Sequence, residues 1–293
     1  VTSRHVMIAP MPPRFEHARD QAQYRRPVHR AGVELYHASV LHHRFAPHTH
    51  EAYGLGAITA GVGRFRWRGA EHLAPRATLM LMNPEDVHTG QAELDDQAWG
   101  YRMVYLDRSL LAELSGEPDW WFDAAVAHDA RSAATVAGLI AALWRCSPED
   151  DLAFDSGLAR LVQALRPHVR VGSPRRAEAA VRFTPVLDFM RAHLGEKIEL
   201  AQLAAVAGLS PFHFLRSFQA QTGATPQQQL MALRLFEAKR RLAAGEAPAA
   251  VAAAVGLADQ AHLTRAFAGR YGLTPGRYQQ QLGVAGARCA RGR

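Results

Sequence analysis

Cysteine is nearly absent from this 293-residue chain, which has two, Cys146 and Cys289. They lie far apart and belong to no CxxC or Cys/His zinc spacing, so a disulfide scaffold is excluded and free thiols in a reducing compartment are expected. Cys146 lacks the neighbouring ligands that a reactive, zinc-bound methyl acceptor would need. No apolar run reaches the ~20 residues of a membrane-spanning helix. The stretch from Val1 to Arg14 lacks the uninterrupted apolar core of a signal peptide. A cytoplasmic protein with no membrane partner is expected. Acidic residues are also in short supply: 27 Asp and Glu stand against 34 Lys and Arg, a net charge of +7. That balance favours a polyanionic partner, with nucleic acid ahead of a membrane because no strongly basic amphipathic helix stands out. The length suits two domains, each able to bury its own core.

From about His37 to Leu106 the sequence is short, alternating and turn-punctuated. Tyr53 to Ala60 and Arg64 to Arg68, separated by Gly61-Val62-Gly63, read as a β-hairpin. In its second arm Phe65 and Trp67 share one face and the arginines the other. Thr78 to Met82 and Gly100 to Leu106 read as two more strands. A small antiparallel sandwich or barrel that forms a pocket is therefore expected over residues 31–107, after an N-terminal extension of residues 1–30. Tyr53, Phe65, Trp67, Tyr101 and Tyr105 are candidate pocket walls, although aromatic stripes at alternate strand positions also build cores. Past Asp107 the apolar spacing becomes three and four, so Arg131 to Arg145 and Asp151 to Val169 read as helices within a segment spanning 108–170. Val171-Gly172-Ser173-Pro174-Arg175-Arg176 has the composition of an exposed linker, placed at 171–180.

Beyond the linker the chain repeats itself. Gly208-Leu209-Ser210-Pro211-Phe212-His213-Phe214-Leu215-Arg216-Ser217-Phe218 is echoed by Gly256-Leu257-Ala258-Asp259-Gln260-Ala261-His262-Leu263-Thr264-Arg265-Ala266-Phe267, and each copy runs on to a Gly and a Thr-Pro. Each has the parts of a helix-turn-helix: a first helix with an apolar face (Leu200, Leu203, Ala204 and Ala207; Val251, Ala252 and Val255), a glycine at the turn, and a second helix. Ser210 and Pro211 suit the cap and first position of that helix. Phe214 and Phe218, like Leu263 and Phe267, are four apart and face inward. Phe212, Leu215, Arg216, Gln260, Ala261, His262, Thr264 and Arg265 remain on the outer faces. Arg216 and Arg265 occupy equivalent positions, where a guanidinium can pair with guanine O6 and N7. Pro226 to Leu242 reads as one connecting helix that fixes the separation of the two recognition helices, with Lys239-Arg240-Arg241 expected to meet phosphates. Residues 181–281 carry 11 Lys and Arg against 6 Asp and Glu, which concentrates the positive charge on this module.

These features resemble the DNA-binding domain of AraC/XylS-family transcription regulators. The likeness is closest in the second unit, through Asp259-Gln260, His262, Thr264-Arg265, Phe267, Gly272 and Thr274-Pro275-Gly276-Arg277-Tyr278. It implies a double helix-turn-helix over 181–281 followed by a tail of residues 282–293, and groove-facing roles for Phe212, Leu215, Arg216, Gln260, Ala261, Thr264 and Arg265. This sequence departs from the pattern at Leu215 and Ala261, where polar readers are common, and at Ala258, where a serine cap is usual.

The front region resembles the cupin-type effector domain of the same family through His48-Thr49-His50-Glu51, Asn83-Pro84-Glu85-Asp86-Val87-His88 and the strand from Tyr101 to Asp107. The implied fold class is α+β with two domains: a cupin-like β-barrel followed by helices, then the all-α DNA-binding module. The implied function is a sequence-specific regulator of transcription that binds double-stranded DNA, responds to a small-molecule effector, works with RNA polymerase and forms a homodimer through the helices between Arg131 and Val169. Effector-contact candidates are His48, His50, Glu51, Tyr53, Trp67 and His88. No catalytic residue and no cofactor are expected. A metal ion held by His48, His50 and His88, and with it a metal-dependent cupin enzyme fused to a DNA-binding domain, stays open as the alternative.

Overall fold

The structure is a computed structural model that describes residues 19–171 and 174–284, the segment 174–182 by its backbone alone. Residues 1–18 of the expected extension, and the tail from 285 with Cys289, lie outside the described residues. In chain order the front domain comprises β1 (Gln21–Arg25), β2 (Val33–Val40), β3 (Phe45–His48), β4 (Tyr53–Ala60), β5 (Val62–Trp67), β6 (Ala70–Pro75), β7 (Leu79–Met82), β8 (His88–Ala92), β9 (Trp99–Leu106), α1 (Arg108–Ser115), β10 (Trp120–Trp121), β11 (Val126–Ala127), α2 (Ala130–Arg145), α3 (Asp151–Leu165) and β12 (Arg170–Val171). Six strands pair in the order β1-β2-β9-β4-β7-β11 and four in the order β3-β8-β5-β6. The expected cupin-like barrel is thus two facing sheets, not a closed cylinder.

The expected hairpin between Tyr53–Ala60 and Arg64–Arg68 does not form. Both strands exist, yet β4 pairs with β7 and β9 while β5 pairs with β6 and β8. The reason lies at Gly61, which sits at φ +61° and so close to the Ala98 carbonyl that a Cβ would lie 2.3 Å from its oxygen. Only glycine tolerates that turn, and it carries the chain from one sheet to the other. The tight hairpin is instead β5–β6, closed by Arg68 and Gly69 at φ +50° and +80°, the signs a two-residue hairpin turn needs.

The large sheet is buried on both faces, which hides its alternation. In β7 the leucines Leu79 and Leu81 turn towards α1, α2 and α3, while Met80 and Met82 turn towards the smaller sheet. Leu81, Leu55, Val104 and Leu35 stand in register across β7, β4, β9 and β2 as one apolar row under the helices. The next row, Met82, Gly54, Tyr105 and Glu34, faces the interior. β1, from the segment 1–30 read as an extension, pairs with β2 at the edge of this sheet. Asp20, fully buried, accepts the backbone N–H groups of Leu41, His42 and His43.

The helical module comprises α4 (Pro174–Ala192), α5 (Leu200–Val206), α6 (Pro211–Thr222), α7 (Pro226–Ala243), α8 (Pro248–Ala254), α9 (Gln260–Tyr271) and α10 (Pro275–Gln281). α4 begins inside the segment expected as a linker. Pro174 is suited to a first helical position, and Arg175 to Ala180 are mostly good helix formers. The first unit closes its own core, with Phe183 of α4 against Phe214 and Phe218. The core of the second unit, by contrast, is continuous with the interior of the front domain.

That continuity is sealed by a polar lock. Lys239 of α7 forms a buried ion pair with Glu34 of β2, whose other carboxylate oxygen accepts from Tyr278 Oη of α10 at 3.0 Å. The rings of Tyr24, Tyr105, Tyr271 and Tyr278 surround the Lys239 ammonium, with centroids 4.5–5.6 Å away. Gln281 covers the edge of β1, accepting from the Tyr24 N–H at 2.9 Å and donating to the Ala22 carbonyl at 3.3 Å. Lys239 was expected to meet phosphates, but the lock turns it inward. Arg240 and Arg241 pair with Glu237, and Arg241 also with Glu246, so the basic run is neutralised locally.

Lys239→Met should destabilise the full chain by up to about 3 kcal/mol in urea unfolding, because it leaves the buried Glu34 carboxylate with Tyr278 Oη and a half-exposed Arg26, 3.8 Å away, as its remaining partners. The double variant Glu34→Gln, Lys239→Met should recover most of that loss.

Candidate DNA-binding faces and effector cavity

The two recognition helices are built alike and differ by one residue in the preceding turn. In α6, Ser210 Oγ caps the His213 N–H. In α9, Asp259 caps the His262 N–H at 2.6 Å, so the cap missing at Ala258 is supplied one position on. Gly223 and Gly272 end the helices at φ +74° and +75°. Pairing Ser210 with Asp259 aligns Phe212 with Ala261, Leu215 with Thr264 and Arg216 with Arg265. Phe212, Leu215, Arg216, Gln260, Ala261 and Arg265 are exposed, and His262 and Thr264 half-buried. Neither Arg216 nor Arg265 has an ion-pair partner among the described residues, which leaves both guanidinium forks free for an anion or a base edge. Thr264 Oγ1 donates back to the Gln260 carbonyl at 2.8 Å, so its hydroxyl proton is engaged within the helix and the oxygen remains able to accept.

The inner face of α9 does something else. Leu263 and Phe267 are fully buried, and the helix ends in Arg270 and Tyr271, also buried. These last two residues roof a cavity of about 50 Å³ between the sheets, whose wall includes His48, His50, His88, Tyr101 and Tyr105. That is room for a few waters or a very small molecule. Gly54 keeps it open, since a Cβ there would sit 3.2 Å from the Tyr105 ring. Burial holds His48 and His50 well below the ordinary histidine range, helped by the neighbouring imidazoles, and it lowers His88 as well. All three are therefore neutral near pH 7. Burial also lowers Lys239, against the pull of Glu34.

Polar groups on this wall lack partners. Tyr36 Oη, Trp99 Nε1, Arg270 Nε and Tyr271 Oη are buried without a hydrogen bond among the described residues. Arg270 donates Nη1 to the Ala232 carbonyl at 3.0 Å and has no carboxylate within ion-pairing distance among those residues. Buried orphans of this kind point to a water or ligand that completes them.

Of the effector candidates, the structure brings His48, His50 and His88 together on the cavity. Glu51 is half-buried and not in its wall. Tyr53 turns to the helix side of the sheet and donates to the Trp120 carbonyl at 2.7 Å. Trp67 packs in the interior with Nε1 on Asp86. The sequence reading missed Arg270, Tyr271 and Glu34. Glu34 had a signal, a lone acid in the apolar run Val33–Tyr36, whereas Arg270 looks like any basic residue near a helix end.

Comparison with known proteins agrees with this division. Residues 30–163 match the AraC-like ligand binding domain and residues 203–281 a helix-turn-helix domain. An uncharacterised HTH-type transcriptional regulator of Bacillus subtilis, YbfI, is 25% identical over 238 residues, 79% of this chain and 86% of its own. The MmsAB operon regulatory protein of Pseudomonas aeruginosa is 38% identical over 95 residues, 32% of this chain and 31% of its own. Among solved structures, the apo form of a single-substitution (lysine to alanine) variant of ToxT of Vibrio cholerae has a similar fold, with a TM-score of 0.57 at 9% identity over 86% of this chain and 98% of that one. ToxT bound to an unsaturated fatty acid gives 0.55 at 9% identity over 85% and 94%. A ligand-binding domain of AraC type followed by a double helix-turn-helix places this chain in the AraC/XylS family of transcription regulators.

Proposed function

We propose that a small molecule held in the cavity beneath α9 sets the position of the second helix-turn-helix unit, and so the affinity of the protein for its operator. The observation that carries this is the double use of α9. Its outer face presents Gln260, Ala261, Thr264 and Arg265, while its last turn supplies the cavity roof through Arg270 and Tyr271. A ligand touching Arg270 touches the DNA reader directly.

The chemistry of the wall favours a small organic anion with an apolar body. Aromatic rings and methionines form most of the surface, and the one cation in it, Arg270, has an unsatisfied Nε–H. ToxT, a fold neighbour, has been solved with an unsaturated fatty acid bound. In this reading the protein acts in the cytoplasm without a catalytic step, contacts RNA polymerase at promoters and forms a homodimer through α2 and α3, where Leu152 is exposed at the start of α3. None of the described helices is long and apolar enough to cross a membrane.

A thermal-shift scan of small organic acids against the full chain tests the cavity. The expected hit raises Tm of the wild type, by mass action, and weakens or strengthens its hold on a promoter fragment from the neighbouring genes. Gly54→Val, which fills the cavity, should abolish both responses while leaving DNA binding without the hit in place. An equal Tm shift in the variant would mean the ligand binds elsewhere.

Readout by the outer face is checked by fluorescence anisotropy with base-by-base operator substitution. Arg265→Ala should lose about 1–3 kcal/mol, confined to one base position. Absence of any salt-sensitive binding to such fragments would overturn the regulator reading as a whole.

A further inference from the structure

We propose that His48, His50 and His88 hold one divalent transition-metal ion of zinc type through their three imidazoles, with a fourth coordination position open to the cavity. Their ligand nitrogens all lie within 4.8 Å of one another. The rings sit at centroid separations of 4.3 Å (His48–His88), 5.1 Å (His48–His50) and 5.2 Å (His50–His88). The fold itself makes the convergence: His48 and His88 are cross-strand partners on β3 and β8, and His50 follows on the loop into β4.

The proton arrangement suits metal binding. A carbonyl only accepts, so His48 Nδ1, 2.8 Å from the Ala46 oxygen, and His88 Nδ1, 2.9 Å from the Asp86 oxygen, each carry their ring's proton. Both Nε2 lone pairs are thereby left to coordinate, and a carbonyl behind a ligating imidazole is the usual support that fixes its tautomer and orientation. Asp86 is pinned in turn, its carboxylate accepting from Trp67 Nε1 and Asn83 Nδ2, both at 3.1 Å. The His50 ring has no hydrogen bond among the described residues and rests 4.7 Å from the Tyr105 ring. Tetrahedral coordination at about 2.0–2.1 Å brings ligand nitrogens to ~3.4 Å apart. Rotation of the untethered His50 ring supplies that closure.

Three imidazoles without a thiolate or carboxylate select borderline metals such as Zn²⁺, Co²⁺ or Ni²⁺ over Mg²⁺ and Ca²⁺. A catalytic-type site of three protein ligands leaves one position vacant, and that position shares the cavity with Arg270, so an anion there would meet both positive groups. The metal site stands whether or not an organic effector also enters the cavity.

The test uses the full chain, stripped with a chelator and titrated with Zn²⁺ by calorimetry and with Co²⁺ by visible absorption. One equivalent of Zn²⁺, the d–d bands of four-coordinate Co²⁺, and a rise in Tm with metal are expected. His50→Gln leaves the carbonyl hydrogen bonds of His48 and His88 in place and so should fold, which circular dichroism checks. It should weaken Zn²⁺ binding at least about 10–100-fold and abolish the cobalt spectrum, whereas His213→Gln on the exposed face of α6 should change neither. Failure of the wild type to bind one equivalent, or binding that survives His50→Gln unchanged, overturns the site.

Discussion

The buried pair of Glu34 and Lys239 fixes how the two halves of the molecule meet. Removing each charge from water costs several kcal/mol, so such a pair adds little net stability compared with an apolar contact of the same size. What it adds here is register. Apolar surfaces slide at small cost, but only one placement of the helical module sets the Lys239 ammonium among four tyrosine rings with Tyr278 Oη on the second carboxylate oxygen. On separation both charges regain their hydration, so the interface is specific in the closed state without being too tight to open. Those are the properties a two-state regulator needs at the joint between its sensor and its reader.

The same joint makes the cavity. Its floor belongs to the sheets and its roof to α9, so an occupant would make different contacts if the helical module undocked, and only differential contacts move such an equilibrium. The lever is short. Arg265 and Arg270 are five residues apart on one helix, a rise of about 7.5 Å, and a helix with Leu263 and Phe267 fully buried moves as a rod. On the proposed reading, a displacement felt at Arg270 would reach Arg265 without any relay of side chains.

The DNA-binding module was legible in the sequence because its signals are local: apolar residues three and four apart, a cap, a glycine and a second copy. The connecting helix and the inward faces of both units follow from that pattern. The sheets were harder to read for a physical reason. Leu79-Met80-Leu81-Met82 faces helices on one side and the cavity on the other, so both sets of side chains are apolar and no alternation appears. β1 is short and polar, and its place in the sheet rests on pairing with β2 and on Gln281, which is 257 positions from Tyr24. Lys239 was misplaced because a basic run reads as surface unless its partner is known, and Glu34 is brought to it only by the fold. The three histidines were visible as a motif, but their convergence depended on the β3–β8 register, which spacing alone does not fix.

The two helix-turn-helix units are therefore not equivalent in mechanics, although their sequences repeat. The first has a closed core of Phe183, Phe214 and Phe218 and touches the front domain through the exposed Arg191–Glu85 ion pair. The second has no core separate from the sensor. Its outer face is polar at Gln260 and Thr264, where the first unit offers Pro211 and Leu215, and Phe212 stands 70% exposed where the second has Ala261. An exposed phenylalanine on a recognition helix gains most when it packs against thymine methyls or a groove wall. Contact of that kind tolerates small changes of angle better than a bidentate arginine, whose two hydrogen bonds fail together. On the proposed reading, the unit with the more polar outer face is thus the one packed on the front domain, so a small rotation imposed at the cavity would fall where readout is least forgiving.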